Sequence, residues 1–155
     1  MPAFLQTRVA QGSRPVVTPD CAGDVVFQRF YFDLAAALAL GDIIELGILP
    51  AETTIVDAYL DSDDLDTNGA PAIKLDVGLM SGTPGVIDGA RTVGTELFAA
   101  DTTAQAGGVT RMSKQTGFRI ATATTDRSIG VKVNTAPATG ATTGRIAVGV
   151  WMIQP

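Results

Sequence analysis

The chain has 155 residues, a formal net charge of −5 and a hydrophobic content of 46%, enough for one buried core and too little for two independent ones. It carries no histidine and a single cysteine, which removes the commonest general base, histidine-dependent triads, the commonest metal ligand and any intrachain disulfide. Its acidity and 6% aromatic content argue against direct nucleic-acid binding, which draws on basic patches, and no apolar run reaches the roughly 18 residues of a membrane span.

The charges are unevenly spread. Residues 1–19 hold Arg8 and Arg14 with no acid, residues 20–110 hold fifteen acids against three bases, and residues 111–155 hold six bases against Asp126. Two readings stand: solvated loops of opposite sign, or acidic and basic edges of neighbouring subunits that meet in a ring.

In chain order, Met1–Arg8 lacks the basic and then apolar stretch of a secretory signal, so a soluble, unprocessed protein is expected. Residues 1–23 contain Pro2, Pro15 and Pro19, and proline cannot donate to a strand ladder. They read as an extended arm, with Phe4, Leu5, Arg8, Val9 and Arg14 as candidate contacts to a neighbouring molecule; the alternative is a frayed terminus. Cys21 reads as a small buried hydrophobe.

Residues 24–155 read as the β domain. Residues 25–32 form an aromatic and β-branched strand, both faces of which want cover. Residues 33–41 suggest a one- to two-turn helix with Asp33 as N-cap and Gly41 as terminator, an irregular strand being the alternative. Residues 43–49, closed by Pro50, and 54–60 read as antiparallel partners, and residues 73–79 alternate with Lys74, Asp76 and Gly78 on a wet face. Residues 86–116 are the least legible. Strands are expected again over 117–123, 128–134 and 145–153, the last two joined by a flexible hairpin loop at 136–144. Seven or eight short strands imply an all-β fold, an antiparallel sandwich with the jelly roll as leading form and room for one short helix.

Chemistry is sparse. From Asp64 the turn reads D-x-D-x-N-G, the opening of a calcium loop with Asp64, Asp66 and Asn68 as ligands. Position twelve falls on Leu75 where a bidentate glutamate is needed, and the competing reading is a solvated turn whose side chains bond their own backbone. Calcium is the one cofactor in view. Paired carboxylates serve glycoside hydrolysis, but here they crowd one turn. Ser81 is misplaced for a nucleophile elbow. Trp151 is either a sugar-stacking platform or part of a core or interface. No enzyme is expected.

Residues 37–51, 56–66, 75–82, 96–100, 103–108 and 126–132 together resemble the small decoration, or cement, proteins of tailed-bacteriophage heads. That resemblance implies a virion structural protein made in the host cytoplasm. Such a protein binds the outside of the assembled capsid and stabilises it. Its implied partners are the major capsid protein and further copies of itself, often as trimers; nucleic acid and membrane are not among them. It brings no catalytic residues. A tail or head-fibre module and a carbohydrate-binding sandwich are the alternatives.

Overall fold

Period-two alternation of apolar and polar side chains makes most of this chain strand. A computed structural model describes residues 2–13, 15, 16, 18, 21 and 23–155. Among the described residues the strands are β1 (Phe4–Gln6), β2 (Val26–Leu34), β3 (Ile43–Leu49), β4 (Thr54–Ser62), β5 (Lys74–Leu79), β6 (Phe98–Asp101), β7 (Gly108–Arg111), β8 (Arg127–Thr135) and β9 (Gly144–Ile153), with a 3-10 turn (Thr103–Gln105) between β6 and β7 and one short α-helix, α1 (Gln115–Phe118), between β7 and β8. They form a five-stranded sheet in the order β1-β3-β8-β5-β6 and a four-stranded sheet in the order β2-β9-β4-β7. Every pairing is antiparallel except β1 with β3. From β2 onward the chain changes sheet at each step save β5 to β6, which is the connectivity of a jelly roll.

The core lies between the sheets. Ile44, Leu46 and Leu49 of β3, Val131 and Val133 of β8, and Leu75 and Val77 of β5 meet Ile55 and Leu60 of β4 and Ile146, Val148, Val150 and Met152 of β9, all fully buried or nearly so. Each large apolar side chain so placed contributes roughly 1.5–3 kcal/mol by leaving water. The total accessible surface is 7249 Å², close to the roughly 7,400 Å² expected of one folded 16 kDa domain.

Several expectations are corrected. Strands β3 and β4 are not partners; Pro50 ends β3 and the chain crosses to the other sheet. For the same reason residues 136–143 are a crossover between β8 and β9 and not a hairpin loop. No helix forms over residues 33–41: β2 keeps its register with β9 through Asp33↔Arg145 and Leu34↔Gly144. Asp33 then bonds Arg145 and caps nothing. Leu38 reaches the core from an irregular segment. Residues 117–123 are not a strand; α1 and the chain after it lie outside both sheets, with Ile120 turned inward. In β4 a bulge between Ile55 and Asp57 shifts the phase, so Ile55 joins Ala58 and Leu60 in the core where simple alternation places Val56. The expected wet face of β5 is covered: Asp76 is buried and accepts hydrogen bonds from the Ala100 N–H at 2.7 Å and Asn134 Nδ2 at 2.8 Å. Cys21 is exposed.

Candidate docking face

The outer faces of the two sheets are treated differently by the chain. Over the five-stranded sheet, the connection from β5 to β6 folds back. Met80 and Val93 pack on Ile43 there, with Phe4 of β1 against them. Beneath the same loop lies a buried ion pair, Arg91 Nη2 to Glu45 Oε1 at 2.9 Å, with side-chain exposures of 2% and 0%. Glu45 also accepts from Ser128 Oγ, Gln6 Nε2 and the Gly85 N–H. Burial pushes the Glu45 carboxyl up, but these hydrogen bonds outweigh it and hold it below the usual glutamate range. Arg91 also donates to Ser128 Oγ at 3.0 Å and to the carbonyls of Ser81 at 2.7 Å and Val86 at 2.8 Å. One carboxylate therefore ties β1, β3, β8 and the covering loop together.

Among the described residues nothing covers the outer face of the four-stranded sheet in this way. Its register sets Phe27 of β2 beside Trp151 of β9, and Asp57 of β4 on the far side of Trp151. The next row holds Arg29, Gly149, Tyr59 and Arg111, and the one after it Tyr31, Ala147, Asp61 and Val109. Phe27, Tyr31 and Val109 are 44%, 41% and 68% exposed. Small residues on β9 make room for rings: a Cβ on Gly149 would sit 2.2 Å from the Tyr59 ring. The Phe27 and Trp151 ring centroids lie 4.7 Å apart and those of Tyr59 and Trp151 5.8 Å apart.

Ion pairs surround these rings: Arg29–Asp61, Arg111–Asp57 and Arg145–Asp33. Hydrogen bonds from Arg145 hold the Asp33 carboxyl below its ordinary value, and Asp57 raises the Arg111 guanidinium further. Two bases of residues 111–155, Arg111 and Arg145, thus meet acids of residues 20–110 inside one molecule. Arg111 lies over the Trp151 ring at 5.7 Å and Arg145 over Tyr31 at 4.3 Å, which covers ring faces on which a sugar would stack.

The residues singled out in the sequence lie elsewhere. Phe4, Leu5 and Val9 pack against the chain's own apolar clusters. Arg8 is exposed and lines a groove of about 540 Å³ between residues 6–9 and the Gln28–Asp33 stretch of β2. Arg14 lies outside the described residues. Asp64, Asp66 and Asn68 each bond backbone. Asp66 accepts from the N–H groups of Ala72, Ile73, Ala138 and Thr139 at 2.7–3.2 Å. Asp64 accepts from the Asp66 N–H and Asn68 from the Ala70 N–H. Burial raises the Asp66 carboxyl, but the four N–H donors win and hold it far below the aspartate range. Among the described residues no three acidic, histidine or cysteine side chains gather around a common point.

The fold and the sequence together resemble a known assembly. The chain superposes with a TM-score of 0.96 on a chain of the Ralstonia phage GP4 capsid, at 54% identity over 99% of both chains. It belongs to a family of phage head proteins. A chain of the cyanophage Pam1 capsid asymmetric unit is similar to this head protein at 25% identity and a TM-score of 0.70, over 93% of this chain and 96% of that one. The acidic stable capsid of Helicobacter pylori bacteriophage KHP30 has a chain with the same fold at 15% identity and a TM-score of 0.50, over 87% and 92%. No protein-family model matches the sequence, and no curated protein matches it significantly.

The residues that sequence reasoning missed in this head protein are Glu45, Arg91 and Ser128 under the loop, and Tyr59 and Gly149 on the open face. A lone glutamate inside Ile43–Leu49 was the one available signal for the first group. The second depends on which strands neighbour β9, and that is tertiary information.

Proposed function

We propose that this virion structural protein is a decoration, or cement, protein. It binds the outside of the assembled capsid and stabilises it without catalysing a reaction. The observation that carries the reading is the whole-chain likeness to a capsid chain. That likeness sits on a jelly roll whose buried polar groups, Glu45, Asp66 and Asp76, hold loops and the β1 segment in place. A rigid body of this kind loses little entropy on docking. Binding sites that exist only on the mature lattice make shell opening cost the binding free energy as well.

In this reading the partners are the major capsid protein and further copies of the chain, grouped as trimers as the resemblance implies. The protein is made in the host cytoplasm and ends on the virion surface. Arg8, beside the groove at β2, reaches the shell together with Arg14, while Phe4, Leu5 and Val9 anchor the segment that carries them. Calcium is not required.

Co-sedimentation with heads stripped of this protein tests the reading. Saturable binding to expanded heads and none to unassembled capsid protein is the expected result. Equal binding to both, or binding to glycans on an array in place of heads, overturns it.

A further inference from the structure

We infer that the free edge of β2 takes up one extended segment of the shell protein as an added strand, main chain to main chain, with an acidic residue of that segment against Arg8. The inference rests on the proposed function for the source of the segment and for nothing else.

The groove at β2 runs along the edge of the strand. It is lined by six consecutive residues, Gln28 to Asp33, whereas a groove over one face of a strand meets every second residue. β2 ends its sheet, and among the described residues no backbone bond reaches it except from β9. Alternate N–H and C=O groups therefore point into the groove unpaired. Edge strands are normally shielded by shortness, bulges, prolines or inward-pointing charges. β2 is nine residues long, contains no proline and keeps its register with β9 without a bulge. Its charged side chains, Arg29 and Asp33, stand on the outer face in ion pairs.

Shape limits the occupant to one chain. Residues 6–9 wall the groove opposite β2, which leaves room for a strand about 4.8 Å from β2 and none for the edge of a second sheet. Buried Phe30 and Leu46, with half-buried Val9 and Phe32, give such a strand an apolar lining for its side chains. Gln28 lines the groove as well, and its buried Oε1 has no donor.

Charge gives the sign of the occupant. With Arg29 and Asp33 paired, Arg8 is the remaining charged side chain of the lining; it is exposed and outside every ion pair of the described residues. An acid on the incoming segment meets it. The N-terminal arm of a second copy brings none, because residues 1–19 hold Arg8 and Arg14 and no acid. Added to β2, a shell segment gains affinity from backbone bonds, while the apolar lining and Arg8 select which segment enters.

Hydrogen–deuterium exchange of the full chain, resolved to single amides, tests this. It is measured on the protein alone, on stripped heads, and with overlapping synthetic peptides that span the shell protein and this chain. Alone, alternate amides of Gln28–Asp33 should exchange faster than their neighbours bonded to β9. On heads, and with an acidic shell peptide, those amides should slow at least about tenfold. Arg8→Glu should weaken that peptide about three- to tenfold, with circular dichroism and melting temperature unchanged, since Arg8 is exposed. Head binding that leaves Gln28–Asp33 exchange unmoved overturns the inference and leaves the decoration reading intact. Protection by a peptide of this chain in place of a shell peptide overturns it too, as does full protection of β2 in the protein alone. Protection by a shell peptide without any head binding upholds the inference and defeats the decoration reading.

Discussion

Two buried carboxylates, Glu45 and Asp66, do different work at the residue scale. Glu45 faces a guanidinium, and removing one partner of a buried pair leaves the other charge unmet, at a cost of about 3–5 kcal/mol. Glu45→Gln is expected to lower the melting temperature by roughly 6–20 °C at the usual 2–4 °C per kcal/mol for a domain of this size. Replacing Glu45 and Arg91 together by Leu and Met should recover part of that loss, because the unmet charge and the pair's desolvation cost disappear while the Ser128 hydroxyl and the Gly85 N–H lose their acceptor. Thermal unfolding followed by circular dichroism reads both, and a double variant less stable than Glu45→Gln would contradict the assignment. Asp66 faces only backbone N–H groups. Its folded carboxyl holds a proton less tightly than the unfolded one, so the unfolded chain binds more protons in acid. The stabilisation is complete above the unfolded value of about 4 and fades as pH falls towards the depressed folded value. Asp66→Asn should therefore be clearly less stable than the parent at pH 7, with the gap closing towards pH 2. Urea melts across that range measure it; a gap independent of pH would contradict the clamp.

Single strands show at the element scale why one aromatic face is covered and another is not. On β2, Phe30 is buried against the Gly47 bulge of β3, while Phe27 and Tyr31 stand in solvent. Gly149→Ala puts a methyl group into the Tyr59 ring and is expected to displace it and cost about 1–3 kcal/mol as overpacking. Near-ultraviolet circular dichroism should lose its aromatic signal while the far-ultraviolet spectrum holds. An unchanged near-ultraviolet spectrum would show that the ring cluster does not depend on the glycine. The alternation in residues 128–134 and 145–153 was legible because buried β-branched residues repeat with period two. The helix expected at 33–41 failed because its capping signals describe an isolated segment, and continued pairing with β9 outcompetes a helix of one or two turns. Pairing of β3 with β4 failed for a related reason. Sequence proximity favours hairpins, whereas the jelly roll sends consecutive strands to opposite sheets. The open face was half legible, since β2 announced two apolar sides, yet its neighbours across β9 could not be read from a strand pattern.

The whole molecule is an acidic jelly roll with a neutral, ring-centred face, carrying the likeness of a capsid chain along its full length. Its surface ion pairs contribute little each to stability and are screened by salt. Folding stability should therefore change by less than about 1 kcal/mol between 0.05 and 1 M salt. Shell attachment, if Arg8 carries it, should weaken over the same range, and Arg8→Ala should flatten that dependence. Parallel urea melts and head-binding isotherms separate the two. Salt-independent attachment would remove Arg8 from the contact.

The reading as a decoration protein is tested most directly by electron cryomicroscopy of heads lacking the protein, before and after purified protein is added back. The account predicts new density of the size of this jelly roll on the exterior of the shell at repeated lattice positions, with the shell beneath unchanged in connectivity. Density that forms the continuous floor of the shell, lies inside it, or is confined to the tail would contradict it.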